Sequence, residues 1–390
     1  MPLRALTFGL GTLAVFTLFW VMWPSPFKPS YWDEPAPPPL TGALAPNTDL
    51  DQARRYSVGE AGTANGLLTA PDGSLYFGTP DGHIHRFLPG RPENPVQEIA
   101  RVTNAPIYGL DWASETRIAV ASLSGLYAVD LINGSVARLS TGIASHAFGY
   151  VNDLTVAADG TIYFTDSSAR WQASDEHERY FREMLENRPT GSIYAWDPRL
   201  QQSRLVVDGL YYPNGILLAP DGHSLYFSET FRHRVMRLWL TGPSAGQVEP
   251  VATNLPGYPD SLSWSRDGEI MVAMLASRIT FLRHMHRYPL LAELYAKLPT
   301  WMRPEVGRND GFIALLDPAD GQILRTLRSS DERFCLISDT TTGPMGSLWF
   351  SSIECGYIAR LPGQARVPMD RPDIGQPVSA PIDIDADTQN

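Results

Sequence analysis

Residues Tyr211–Glu229 read "YYPNGILLAPDGHSLYFSE". An apolar run leads into an Asp-Gly turn and a second apolar run leaves it, the pattern of two antiparallel strands joined by a tight turn. One polar residue, Asn214, stands at the head of the first strand. The stretch has echoes: "NGLLTAPDG" ends at Gly73, "YVNDLTVAADG" at Gly160 and "GYPDSLSWSRDG" at Gly268. In each, an Asn or Asp (Asn65, Asn152, Asn214, Asp260) precedes the turn Asp by seven residues.

The turn and its second strand recur further. "DGSLYFGT", "DGTIYFTD", "DGHSLYFSE", "DGEIMVAM" and "MGSLWFSS" begin at Asp72, Asp159, Asp221, Asp267 and Met345, and "SETRIAVAS" from Ser114 is a copy without the Asp-Gly. A third strand often follows, as in "GHIHRF", "GSIYAWD" and "GFIALLD". Six units at intervals of about 40–50 residues predict an all-β fold, a six-bladed β-propeller. A single blade is too thin to bury both faces, so the ring must close. "ARRYSVGE" (Ala53–Glu60) is placed to supply the outer strand of the last blade. The Gly-His and Trp-Asp signatures of WD40 repeats are absent.

The charge of −11 over 390 residues excludes a basic footprint for nucleic acid. "ALTFGLGTLAVFTLFWVMW" (Ala5–Trp23) carries no charge and has nearly the length, roughly 20 residues, that crosses a bilayer as a helix. Arg4 precedes it and Trp20, Trp23 and Pro24 close it. This predicts a retained transmembrane anchor with a cytoplasmic N-terminus and a periplasmic or otherwise extracytoplasmic body; a cleaved signal peptide is the rival. The expected organisation is an anchor over 1–24, a Pro-rich linker over 25–48, the propeller over 49–364 and a flexible acidic tail over 365–390. Two long insertions interrupt the repeat. Arg170–Thr190 is charged and partly helical in pattern. Ile279–Pro304, in blade five, is apolar and basic, with a helical rhythm broken by Pro289 and Pro299. Such insertions form a cap on the blades, a lid over the central mouth or a surface resting on a membrane. Cys335 and Cys355 are either a disulfide or two separate buried thiols; both readings stay open.

In a propeller the innermost strand of each blade runs along the central channel. Residues at one register therefore form a ring, and Asn65, Asn152, Asn214 and Asp260 should converge near one face. Oxygen ligands on a rigid ring suit a hard cation, calcium above all. Asp260 is the one formal charge among the four and is the candidate catalytic residue, as ligand, general base or both. The competing explanation is that each Asn or Asp caps its own turn. Unit two has Tyr108 at this register, and in unit six the register falls near Ser338 and Asp339. Asp166 and Glu229, at the returning ends of second strands together with Thr79 and Ser352, either face the mouth or tie down loops and pair with Arg170 or Arg234. His146 is a mouth-facing base or a structural histidine. No Gly-x-Ser-x-Gly elbow is present, which speaks against a serine hydrolase.

"YVNDLTVAADGTIYFTDSSARW", "YYPNGILLAPDGHSLYFSETFRHRVMRLWLTGP" and "NLPGYPDSLSWSRDGEIMVAM" closely resemble the strictosidine synthase-like family, whose animal branch is the adipocyte plasma membrane-associated proteins. More distantly the chain is similar to the gluconolactonase (senescence marker) and paraoxonase-type six-bladed propellers. The resemblance covers roughly Asn47 to Leu361. It implies calcium in the central channel, held by an acid in blade one, Asn in blades three and four and Asp in blade five. Asn152, Asn214 and Asp260 match; Asn65 stands where an acid is usual. The glutamate that the alkaloid-forming relative needs in blade six has no counterpart in "ISDTTTGPMGSLWF", which argues against strictosidine formation.

The expected function is that of a membrane-anchored, calcium-dependent hydrolase acting on a small-molecule ester or lactone. The alternatives are a non-catalytic ligand-binding or scaffold propeller and, more remotely, a condensing enzyme of the strictosidine type.

Overall fold

The computed structural model describes residues 20–91, 95–171, 176–303, 310–330 and 333–363. The chain divides into two compact units, one of Met1–Glu34, Ser174–Arg188 and Ile279–Val306, the other of Pro35–Ala173, Pro189–Arg278 and Gly307–Asn390.

The larger unit is a six-bladed propeller of antiparallel four-stranded sheets. The innermost strands of blades one to six are Asn65–Thr69, Ile107–Ser114, Val151–Val156, Pro213–Leu218, Gly257–Trp264 and Ile337–Thr342. Blade six takes its outer strand from Arg54–Ser57, which pairs antiparallel with Tyr357–Leu361 and closes the ring. The Asp-Gly turns fold as their chemistry requires. Gly73, Gly160 and Gly222 hold φ of +82°, +84° and +71°, and the preceding Asp72, Asp159 and Asp221 accept from the N–H two residues on at 3.0, 3.0 and 2.9 Å. A carboxylate that caps its own turn and a glycine free to take positive φ fix each hairpin.

The blades bury their faces against one another. Phe77, Phe164, Phe227 and Phe350, at one register of the second strands, are fully buried. An apolar cluster lies at each junction. Phe87 of blade one packs with Trp349 of blade six, Ile84 with Ile107 of blade two, and Ala121 with Phe164 of blade three. Ile193 packs with Ile216 of blade four, Val235 with Val272 of blade five, and Ile313 with Phe350 of blade six. Because each face is completed by a neighbour, removing one blade would expose two apolar faces. Cys335 and Cys355 form a disulfide joining the approach to the innermost strand of blade six to the loop before Tyr357–Leu361.

The smaller unit contains the helices Glu176–Glu186, Thr280–Arg287 and Pro289–Ala296. Pro289 opens its helix, where the missing N–H costs nothing. His286 joins the parts: Nδ1 lies 3.0 Å from Glu34 Oε2 and Nε2 2.9 Å from Met184 O, all within this unit.

The expectation of a single-pass membrane protein with an extracytoplasmic propeller is corrected. No helix among the described residues is long and apolar enough to cross a membrane. Residues 1–19, which hold most of the expected anchor, lie outside the described residues, as does the tail from 364 onward.

Candidate functional site

Every innermost strand carries a shift of register near its head. The pairing slips between Asn65 and Leu68, Ile107 and Gly109, Val151 and Leu154, Pro213 and Ile216, Pro259 and Leu262, and Ile337 and Asp339. A bulge re-aims the side chains around it and is a common device at sites. The six bulges sit at the register singled out by the sequence pattern. Asn65, Asn152, Asn214 and Asp260 are 3, 8, 5 and 8 % exposed, too buried for the capping of surface turns.

Hydroxyls link these residues from blade to blade. Asn152 Nδ2 donates to Ser167 Oγ at 3.0 Å, and that hydroxyl donates to Pro213 O at 2.7 Å, beside Asn214. Asn214 Nδ2 donates to Thr230 Oγ1 at 3.2 Å, which donates to Pro259 O at 2.8 Å, beside Asp260. Tying the nitrogen fixes which end of each amide is the donor and leaves Oδ1 available as a ligand. The neighbouring Asn214 amide favours the charged form of the Asp260 carboxyl. Burial pushes that carboxyl well above the usual carboxylate range, and the charge of Asp339 adds to the rise.

Asn65 differs. Neither Oδ1 nor Nδ2 has a partner among the described residues, although both are buried. The reason is visible in the sequence. Three residues beyond Phe164 and Phe227 stand Ser167 and Thr230, the hydroxyls that tie Asn152 and Asn214; three beyond Phe77 stands Pro80, which has no hydroxyl. Ser338 Oγ, in blade six, is likewise buried and unpartnered. An unsatisfied buried polar group costs on the order of 1–3 kcal/mol, so such groups mark places prepared for a ligand or a water.

Three further carboxylates belong to the innermost strands, and Asp153 interacts electrostatically with both Asp339 and Asp111. Asp111 Oδ2 accepts from Val156 N at 2.8 Å, and Asp153 Oδ2 from Ile216 N at 3.0 Å. Asp339 accepts from Leu67 N at 2.5 Å and from Ser261 Oγ at 2.8 Å. Each thereby fastens its strand to a neighbouring blade. Burial pushes Asp111 and Asp339 up to about 6, and raises Asp153 well above the ordinary carboxylate range with help from the Asp339 charge. Asp339 is thus beside the candidate ring through Ser261 and Leu67, while Asp111 and Asp153 have no place in the sequence reading. Glycine makes room for Asp153: a Cβ on Gly109 would lie 2.4 Å from its Oδ1.

Asp166 and Glu229 hold loops. Asp166 accepts from Gly149 N at 2.8 Å and Tyr150 N at 2.6 Å. Glu229 accepts from Tyr211 N at 2.6 Å and pairs with Arg234. His146 is exposed and lies 2.8 Å from the Tyr194 hydroxyl through Nε2. Thr79 donates to Asp81 rather than joining Asn65.

An aromatic arc flanks the ring. Tyr108 stacks on Tyr150 at 5.3 Å between centroids, Tyr150 meets Tyr212 at 5.9 Å, and Tyr212 meets Phe231 at 4.6 Å. Tyr258 meets His233 at 5.0 Å. Tyr150, Tyr212 and Tyr258 each stand two residues before Asn152, Asn214 and Asp260, a repeat present in the sequence but overlooked beside the polar one.

The donor set fits a hard cation: amide and carboxyl oxygens from several blades, with the amide nitrogens of two tied back. No group of three or more His, Cys, Asp or Glu in metal-holding geometry occurs among the described residues, as expected of a ring built mainly from amides.

Comparison with known proteins bears out the resemblance. The family model for strictosidine synthase matches residues 152–243, and that for the strictosidine synthase-like N-terminal region matches residues 42–87. The adipocyte plasma membrane-associated protein of Danio rerio is 28% identical over 356 residues, covering 86% of this chain and 84% of that one. A gluconolactonase from Xanthomonas campestris has the same fold with TM-score 0.55 at 18% identity, over 80% of this chain and 90% of that one. Regucalcin from Agrobacterium tumefaciens, described as a calcium-binding protein, superposes with TM-score 0.53 at 17% identity, over 77% and 90% of the two chains.

Proposed function

We propose that the chain is a calcium-dependent hydrolase of esters or lactones. The observation that carries this reading is the tied amide. Ser167 and Thr230 hold the nitrogens of Asn152 and Asn214, which fixes the nitrogen as the end turned to the protein at the strand register that also carries Asp260. The gluconolactonase and regucalcin folds support the same substrate and cation classes, each from its own described activity.

Asn65, Asn152, Asn214 and Asp260 are the residues that would hold the cation. Calcium in that position supplies a Lewis acid for an ester or lactone carbonyl. Asp260 is the general base of the reading. Its carboxylate would take a proton from an attacking water and return it to the leaving oxygen. Tyr150, Tyr212 and Tyr258 contribute apolar surface for the organic part of the substrate and keep bulk water away.

The test is hydrolysis of phenyl acetate and dihydrocoumarin by the purified chain, before and after chelation, with Asp260→Ala beside it. The expected result is activity that chelation removes, calcium restores and Asp260→Ala lowers by roughly a hundredfold or more, the scale of a lost general base. A fold-intact protein that hydrolyses nothing on a broad ester and lactone panel, and carries no metal, would leave the ligand-binding propeller as the better reading.

A further inference from the structure

We propose that Asn65 and Ser338 form a donor pair that binds one carbonyl oxygen of the substrate; this rests on the ester and lactone reading above. Both residues lie at the heads of neighbouring innermost strands. Asp339, next to Ser338, accepts from the N–H groups of Gly66 and Leu67. Two residues on, Thr341 and Thr69 hydroxyls meet at 3.1 Å. The two strands therefore run side by side in the same direction, and the repeat sets Ser338 and Asn65 at corresponding positions of neighbouring blades, seven residues before Met345 and Asp72.

The two side chains are nine-tenths buried, at 3 and 7 % exposure, and their polar atoms have no partner among the described residues. Asn152 and Asn214 each direct an amide N–H at a protein hydroxyl, Ser167 and Thr230. Asn65 keeps both ends, because Pro80 replaces the tying hydroxyl. Its Oδ1 can face a cation while its Nδ2 donates, and the Ser338 hydroxyl is a second donor beside it. A carboxylate in place of Asn65 accepts only. The amide at this position thus changes what the mouth recognises: the sector of blades six and one becomes a hydrogen-bond donor for a neutral oxygen. Opposite it, in blades three and four, Tyr150 and Tyr212 present aromatic surface. Together they fit a ligand with a ring at one end and a carbonyl at the other, an aryl ester or aryl lactone.

The probe is dihydroquinolinone, the lactam counterpart of dihydrocoumarin, which keeps the carbonyl but resists hydrolysis. Its binding to the full chain is measured by calorimetry with calcium present, alongside calcium affinity itself. Ser338→Ala is expected to weaken lactam binding roughly five- to tenfold, the scale of one neutral hydrogen bond, and to leave calcium affinity within about twofold. Asn65→Asp is expected to tighten calcium and weaken the lactam. Ser338→Cys, nearly isosteric, serves if the alanine variant is unfolded by circular dichroism. Unchanged lactam binding in Ser338→Ala, or calcium affinity falling in parallel, overturns the donor pair. So does a wild type that hydrolyses dihydrocoumarin without binding the lactam, which leaves the hydrolase reading standing. Lactam binding that depends on both residues in a chain without hydrolytic activity upholds the pair and sinks the hydrolase reading.

Discussion

Thr230→Val separates a prepared cation site from a merely polar channel. The substitution keeps shape and replaces one fully buried hydroxyl by a methyl. That hydroxyl accepts from Asn214 Nδ2 at 3.2 Å and donates to Pro259 O at 2.8 Å, so two buried groups lose their partner at once. At on the order of 1–3 kcal/mol for each orphaned group, with some relaxation, the expected loss of stability is about 3 kcal/mol. For a unit of this size that corresponds to a fall of roughly 5 °C in melting temperature. The effect on the cation is separate. With that tie released, the Asn214 amide can rotate, and the direction of its oxygen is no longer fixed. Loss of an orienting partner of this kind typically costs about 10–100-fold in metal affinity. Calorimetric calcium titration of the folded variant reads this term, and denaturant unfolding reads the first. Thr326→Val is the control. Its buried hydroxyl donates only to Ala43 O, at 3.3 Å, in the outer strand of blade five. It should cost stability and leave calcium affinity unchanged. If Thr230→Val binds calcium as tightly as wild type, Thr230 does not orient a ligand and the tied-amide reasoning fails.

Asp111 gives a pH signature. Burial raises its carboxyl to about 6 in the folded chain against the ordinary aspartate value of 3.8, so the native state binds the proton more tightly. Stability from this group should therefore fall as pH rises from about 4 to about 6. Asp111→Asn should flatten that segment of the pH–stability curve, and an unaltered curve counts against the assignment. Replacing Cys335 and Cys355 together by Ser opens a cross-link between residues 20 apart and should cost about 3 kcal/mol by chain entropy, read from denaturant midpoints with unchanged slope. Gly109→Ala drives a Cβ to 2.4 Å from Asp153 Oδ1 and 2.9 Å from Asp153 Cα. It should destabilise by about 1–3 kcal/mol, and a melting temperature equal to wild type would show that the channel relaxes more easily than this packing implies.

The Asp-Gly turns were legible because their chemistry is local: Asp159 caps the N–H two residues on and Gly160 takes the positive φ. The closing strand Arg54–Ser57 was legible because a ring of incomplete blades needs an outer strand, and only one segment was left to give it. The polar register of Asn65, Asn152, Asn214 and Asp260 was legible as a repeat. The tyrosine repeat two residues earlier was equally present and went unread, since a tyrosine before a strand needs no explanation until Tyr108, Tyr150 and Tyr212 are seen in contact. Asp111 and Asp153 escaped for a different reason. Asp111 has no counterpart at its register and Asp153 is matched only by Asp339, so no full repeat announces them, and each partner N–H belongs to another blade. The membrane-spanning topology expected from Ala5–Trp23 rested on hydropathy, on Arg4 before it and on the tryptophans that close it, and is not supported: no helix among the described residues is long and apolar enough to cross a membrane.

The sequence by itself determined the number of blades, the turns between their strands and the register at which polar side chains line the channel. Those follow from periodicity and from the backbone preferences of Asp and Gly, which act over a few residues. Only the tertiary structure decided which end of each amide is free. That depends on hydroxyls at positions separated from the asparagines by a whole hairpin, and on carbonyls in the next blade. Ser167 and Thr230 tie two asparagines, and Pro80 leaves the third untied. The difference between a ligand oxygen and a hydrogen-bond donor is therefore made by contacts that closure of the ring creates.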